Sequence, residues 1–234
     1  LIVVNSGLSD AVVDVNVFTE NGEQPLRTLD VPSKSYLVIP VDSLAPGDKT
    51  LTVNVVPRSG RINSFMIDEQ GKGLRALGGD LINPITSASK TLVIPAIPNQ
   101  KKKPGQNTAS TNVLRVLAPG EVDANITVEL ISADGVFIPV GLNSRNVAAG
   151  TVTEFTFSPS IASPVFALKV TSTEPVVAAV ESSVAVGGRR DFTWSTPAPE
   201  LSAFTMAVTG LAPLIAFTGA EINVALDITL VNGK

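Results

Sequence analysis

The chain has 234 residues, of which 44% are hydrophobic and 16% charged, with a formal net charge of −4. That apolar share fills a sizeable core and argues against disorder, while the small charge and lack of a basic stripe argue against nucleic-acid binding. The complete absence of Cys and His excludes disulfides, thiol nucleophiles, thiolate metal sites and imidazole acid–base chemistry.

Residues 1–22, LIVVNSGLSDAVVDVNVFTENG, set a pattern that returns at 114–135 as LRVLAPGEVDANITVELISADG. It returns again at 214–233 as LIAFTGAEINVALDITLVNG. Each copy reads as a short apolar strand, a turn with Gly, a longer alternating strand and an Asn-Gly or Asp-Gly turn. Val13, Val15 and Val17 keep a period of two, and Ile126, Val128, Leu130 and then Val224, Leu226, Ile228 keep the same phase.

Strands are expected next near residues 26–31 and 36–41, followed by the turn Ala45-Pro46-Gly47-Asp48. Leu51, Val53 and Val55 alternate as Phe166, Leu168 and Val170 do. Ser59-Gly60 is read as a turn into a strand over 62–67, and Glu174-Pro175 as a turn into 176–182. Residues 74–85 are the least strand-like part, with room for one helical turn. Both repeats then pass a Gly-rich loop to an Asp, Asp80 and Asp191, and end on a strand, at 91–94 and at 204–208.

About seven short strands per unit, spaced roughly eight to twelve residues apart, is the pattern of an immunoglobulin-like sandwich. The expected architecture is all-β: two tandem antiparallel sandwiches at 1–97 and 112–213, joined by a polar linker at 98–111. Residues 214–234 are read as the first strands of a third copy. That copy is too short to stand alone, so it is expected to pack on the second unit within a longer parent protein. No apolar run reaches the length of a bilayer span, and no signal peptide opens the chain. Leu1 starts directly on a strand, so the chain is read as processed or excised.

The stretches LIVVNSG…DAVVDVNVF, GRINSFMIDEQGKGLRALGGDLINP, NVLRVLAPGEVDANITVEL and TSTEPVVAAVESSVAVGGRRDFTWSTPAPEL occur in this order. Together they resemble an actinobacterial family known only as a domain of unknown function. Its members look like secreted or membrane-tethered envelope proteins with repeated β-rich units. The resemblance implies an extracytoplasmic location and brings no activity, cofactor or catalytic residue. This chain lacks the N-terminal hydrophobic segment of that pattern.

Candidate chemistry is sparse. Ser87-Ala88-Ser89-Lys90 has the S-x-x-K spacing, but it precedes a strand and has no partner motifs. Asp80 and Asp191 would suit glycoside hydrolysis only if they shared one cleft; each is expected to bind its own turn instead. Asp68-Glu69-Gln70-Gly71 lacks the ligand spacing of a calcium loop and is read as a solvated turn. A Lys–Asn cross-link through Lys169 or Lys90 has no matching triad. Lys101, Lys102 and Lys103 could meet an anionic polymer, though such a cluster on a linker is ordinarily solvated. Trp194, the only Trp, is expected to anchor a core or an interface.

The expected function is therefore non-catalytic: an extracytoplasmic structural or protein-interaction module of the cell envelope. A carbohydrate- or wall-polymer-binding module is the alternative, and a hydrolase comes third. No cofactor or metal is expected, nor a nucleic-acid partner. The partner would be another envelope protein or a wall polymer, with Lys101, Lys102, Lys103 and Trp194 as contacts, and a membrane only through a segment this chain lacks.

Overall fold

The structure, a computed structural model, describes residues 1–99, 111–186, 189–200 and 216–218. Over these residues the protein is all-β, its strand ladders are antiparallel, and the helical element is one 3-10 turn at Val41–Ser43. The first strands are β1 (Ile2–Asn5), β2 (Ala11–Thr19), β3 (Gly22–Glu23), β4 (Arg27–Val31), β5 (Ser35–Val38), β6 (Leu51–Ser59), β7 (Asn63–Lys72), β8 (Arg75–Ile82) and β9 (Ser89–Pro98). There follow β10 (Asn112–Leu117), β11 (Ala124–Ser132), β12 (Gly135–Phe137), β13 (Arg145–Val147), β14 (Val152–Phe157), β15 (Val165–Val186) and β16 (Arg189–Ser195).

Strand β1 lies between β5 and β7, and β8 continues that sheet beside β7. Strand β2 carries β3 and β4 along one edge and β6 along the other. The alternating apolar residues of both sheets meet: Leu1, Val3, Val13, Val15, Val17 and Val31 are buried in one cluster. Gly60 permits the turn from β6 to β7; its φ is +79°, and a Cβ there would stand 2.7 Å from that of Ala11.

The second strand set is connected in a matching way, and its ladders are again antiparallel. β10 lies between β14 and the later part of β15, Val177 to Ser182. β11 carries β12 and β13 along one edge and the earlier part of β15, Ala167 to Ser172, along the other. The 22-residue β15 thus belongs to both sheets, and β16 pairs with its end. A turn was expected at Glu174-Pro175, but β15 runs through it. A register irregularity between Thr171 and Val176 takes up the bend instead.

Strand β9 departs from expectation. Residues 91–94 were read as closing the first unit, yet β9 pairs with β15, from Val165 opposite Pro98 to Val176 opposite Ser89. Leu92, Ile94 and Ile97 enter the core of the second set, where they join Leu168, Val170 and Leu130. Burying three such side chains is worth about 1.5–3 kcal/mol each as an upper bound. The helical turn allowed for at 74–85 is absent too: Arg75–Ile82 is β8, because the tight turn at Gly73 (φ +61°) returns the chain onto β7. The strand read to 41 ends at Val38, before Pro40, which lacks an N–H to continue a ladder.

Candidate functional site

A group of interacting polar and aromatic side chains lies where the β7–β8 hairpin meets the outer face of the sheet β14–β10–β15–β16. Cross-strand register builds that face: Arg115 stands opposite Glu154 on one side and Ala179 on the other, and Trp194 stands opposite Glu181. Arg115 Nε and Nη2 donate to Glu154 Oε1 at 2.9 and 2.7 Å. Its guanidinium carbon is 4.8 Å from the centroid of the Trp194 ring, a cation–π distance. Arg115 Nη1 also donates to Leu51 O at 3.4 Å, which ties β6 to the second set.

The first set supplies the other half. Trp194 Nε1 donates to Asp68 Oδ2 at 2.9 Å. Asp80 Oδ2 accepts from the Trp194 backbone N–H at 2.6 Å and from Thr193 Oγ1 at 2.9 Å. Gln70 Nε2 donates to Glu181 Oε1 at 3.4 Å. Beside this polar group, Phe18 of β2 is buried against Leu117 and Val152 of the second set. Gly78 (φ +140°) completes the fit: a Cβ there would run into the Asp191 carboxylate, so β8 can approach β16 this closely only as glycine.

Burial raises the pKa of Glu181 above the ordinary carboxylate value. The hydrogen bond from Gln70 and the charge of Arg115 oppose the rise, while the Asp68 and Glu154 charges add to it. Around it Arg115 is paired with Glu154, and Asp68 accepts from the neutral indole N–H of Trp194. The group can therefore lock two surfaces together.

Trp194 accordingly sits in this junction. Lys101, Lys102 and Lys103 lie outside the described residues, as does the strand expected at 204–208. Asp68, Glu69, Gln70 and Gly71, expected as a solvated turn, form part of β7, because the turn comes later, at Gly73. Asp80 does accept from the N–H of Leu81 in its own segment at 2.9 Å, as Asp191 does from Phe192 at 2.9 Å. It also reaches β16, which sequence spacing did not reveal. The two Asp residues are not register equivalents, since Asp80 stands opposite Asp68 and Asp191 opposite Val184.

The S-x-x-K residues Ser89 and Lys90 lie in β9, where Lys90 pairs with Glu174 at 3.6 Å. Lys169 points outward to Glu129 at 3.1 Å. A separate recess of about 360 Å³ is lined by Pro119, Gly120, Glu121, Val122, Glu174 and Pro175. Among the described residues no three acidic side chains are grouped to hold a metal ion.

Over the described residues this is an all-β protein in which Asp68, Asp80, Arg115 and Trp194 are engaged between two strand sets. The chain belongs to a family of unknown function (DUF5719), which matches residues 1–229. No curated protein matches the chain. Among solved structures it is similar to the Anabaena sensory rhodopsin transducer, at 21% identity and a TM-score of 0.30, over 41% of this chain and 97% of that one. It is also similar to Thermotoga maritima 1070, at 18% identity and a TM-score of 0.31, over 48% of this chain and 96% of that one.

Proposed function

We propose that the protein is a non-catalytic structural or protein-interaction module, built from two copies of one immunoglobulin-like sandwich and working outside the cytoplasm at the cell envelope. The observation that carries the reading is the use of Asp68, Asp80, Arg115 and Trp194. The side chains best suited to chemistry or sugar stacking are committed to the contact between the strand sets. Matched pairing of the two sets supports the copy relation. β1 and β10 each lie between two strands of one sheet, while β2 and β11 each carry two short strands on one edge and a long one on the other. The envelope location rests on the resemblance carried by the four sequence stretches.

The test is chemical cross-linking and pull-down from native envelopes, run beside a glycan array. Recovery of a defined envelope protein with no glycan signal supports the module. Saturable binding of a wall glycan that Trp194→Ala abolishes, in a variant that still folds, would replace it with the polymer-binding alternative.

A further inference from the structure

The two strand sets differ in what covers them. In the second set, β9 fills the edge of β15, and Phe166, Leu168 and Val170 are at most 3% exposed. In the first set, Val53 and Val55 of β6 stand opposite Val17 and Val15, just as Leu168 and Val170 stand opposite Leu130 and Val128. Yet Leu51, Val53 and Val55 are only half-buried. Among the described residues no strand lies on the other edge of β6.

Beyond the Leu51 carbonyl, which accepts from Arg115, that edge carries no ordinary protection. Residues 51–56, LTVNVV, contain neither charge nor Pro, and the guarding residues Pro57 and Arg58 come only after them. A sheet edge meant to face water is normally blunted by such residues along its length. The adjoining sheet repeats the contrast. Register places Val38, Ile2 and Phe65 in one row of its outer face, with Ile67 and Leu81 in the next. Val38 is 64% exposed, Ile67 49% and Leu81 50%. The face of the second set that carries Arg115 and Trp194 is instead covered by the first set. An antiparallel sheet facing water normally turns polar residues outward, and this one turns aliphatics outward.

We infer that the edge of β6 is an acceptor for the last strand of another sandwich unit, which adds to it as β9 adds to β15, with the body of that unit lying over the apolar face of the sheet β5–β1–β7–β8. This rests on reading the two strand sets as copies of one unit. The occupant has a defined chemistry: an extended segment with uncharged aliphatics at alternate positions, on a unit without carboxylates at its contact. The first set of a second copy does not fit, because Asp68 and Asp80 would be buried against Ile67 and Leu81 with no partner.

The experiment uses the full chain extended at its start by a second copy of residues 86–113, so that a β9 sequence precedes Leu1 as β9 precedes Leu114. Hydrogen exchange at residues 51–56 is expected to slow about tenfold or more relative to the unextended chain. An extension carrying Leu92→Asp and Ile94→Asp should give no slowing. Unchanged exchange at 51–56 with the native extension overturns the inference, as does protection of 51–56 in the unextended chain through dimers seen by sedimentation. Amides at 167–171 serve as the internal reference. If they are unprotected even in the unextended chain, the strand crossing itself fails and takes the inference with it. If they are protected while 51–56 stay open, only the inference falls.

Discussion

Asn5 shows how much one buried amide can organise. It is 1% exposed; its Nδ2 donates to Ser9 O and Val31 O, both at 2.9 Å, and its Oδ1 accepts from the N–H of Gly7 at 2.9 Å. These bonds fix the turn between β1 and β2 and tie it to β4. Asn5→Ala is expected to cost about 2 kcal/mol, since it strands the buried Val31 carbonyl and removes the bonds to Ser9 O and the Gly7 N–H at once; urea unfolding measures it. Glu20 is the surface counterpart. Its carboxylate accepts from the Lys49 and Thr50 N–H groups at 2.8 and 2.9 Å, which hold its pKa down at about 2. A depressed carboxylate stabilises the fold above its ordinary pKa of 4.5, and that contribution fades as the pH falls toward 2. Hence Glu20→Gln should lower the urea midpoint slightly at neutral pH. The gap to the native chain should close between those two values; a gap that widens on acidification would contradict the assignment.

At the scale of the element, β9 is the strand that sequence reasoning found but misplaced. Its apolar pattern was plain in Leu92 and Ile94, whereas its partner depends on where the preceding loop delivers it, and no local signal encodes that. Ile94→Ala removes a fully buried side chain from the second core and is expected to cost about 3 kcal/mol. The distribution is the sharper check. Exchange at 165–171 should speed up while 12–19 stay as protected as before, which the sequence reading, with residues 91–94 in the first unit, would reverse. Strands β2, β6, β10 and β11 were legible because an alternating run with one apolar face has few ways to lie. The tight β7–β8 hairpin was not, because Gly71, Gly73, Gly78 and Gly79 dilute the apolar alternation there.

At the scale of the whole molecule, the candidate site was legible only as separate residues. Trp194 was expected to anchor an interface or a core, but its partners Asp68 and Asp80 lie more than a hundred positions away, at separations of 126 and 114. Nothing in local spacing joins them. The junction also makes the only Trp a reporter of how the two sets separate. In the native chain, Trp194 fluorescence and far-ultraviolet circular dichroism should give coincident urea transitions, because β9 and the junction couple the sets. Phe18→Ala empties the apolar half of the contact, at about 3 kcal/mol. It should move the fluorescence transition to lower urea, ahead of part of the dichroism change. Coincident transitions in that variant would mean that β9 alone couples the sets.

The crossing of β9 also decides how the molecule carries tension. A pull transmitted along the chain from the first set arrives at Ser89, the near end of β9, before it reaches β10. Because β9 is laddered to β15 from residue 89 to residue 98, the load passes sideways into the second sheet through hydrogen bonds perpendicular to the strand. Those bonds are loaded together, in shear, rather than unzipped one at a time. Two units joined in this way act as a spliced cable rather than as beads on a string, with a resistance set by the rate at which the splice yields.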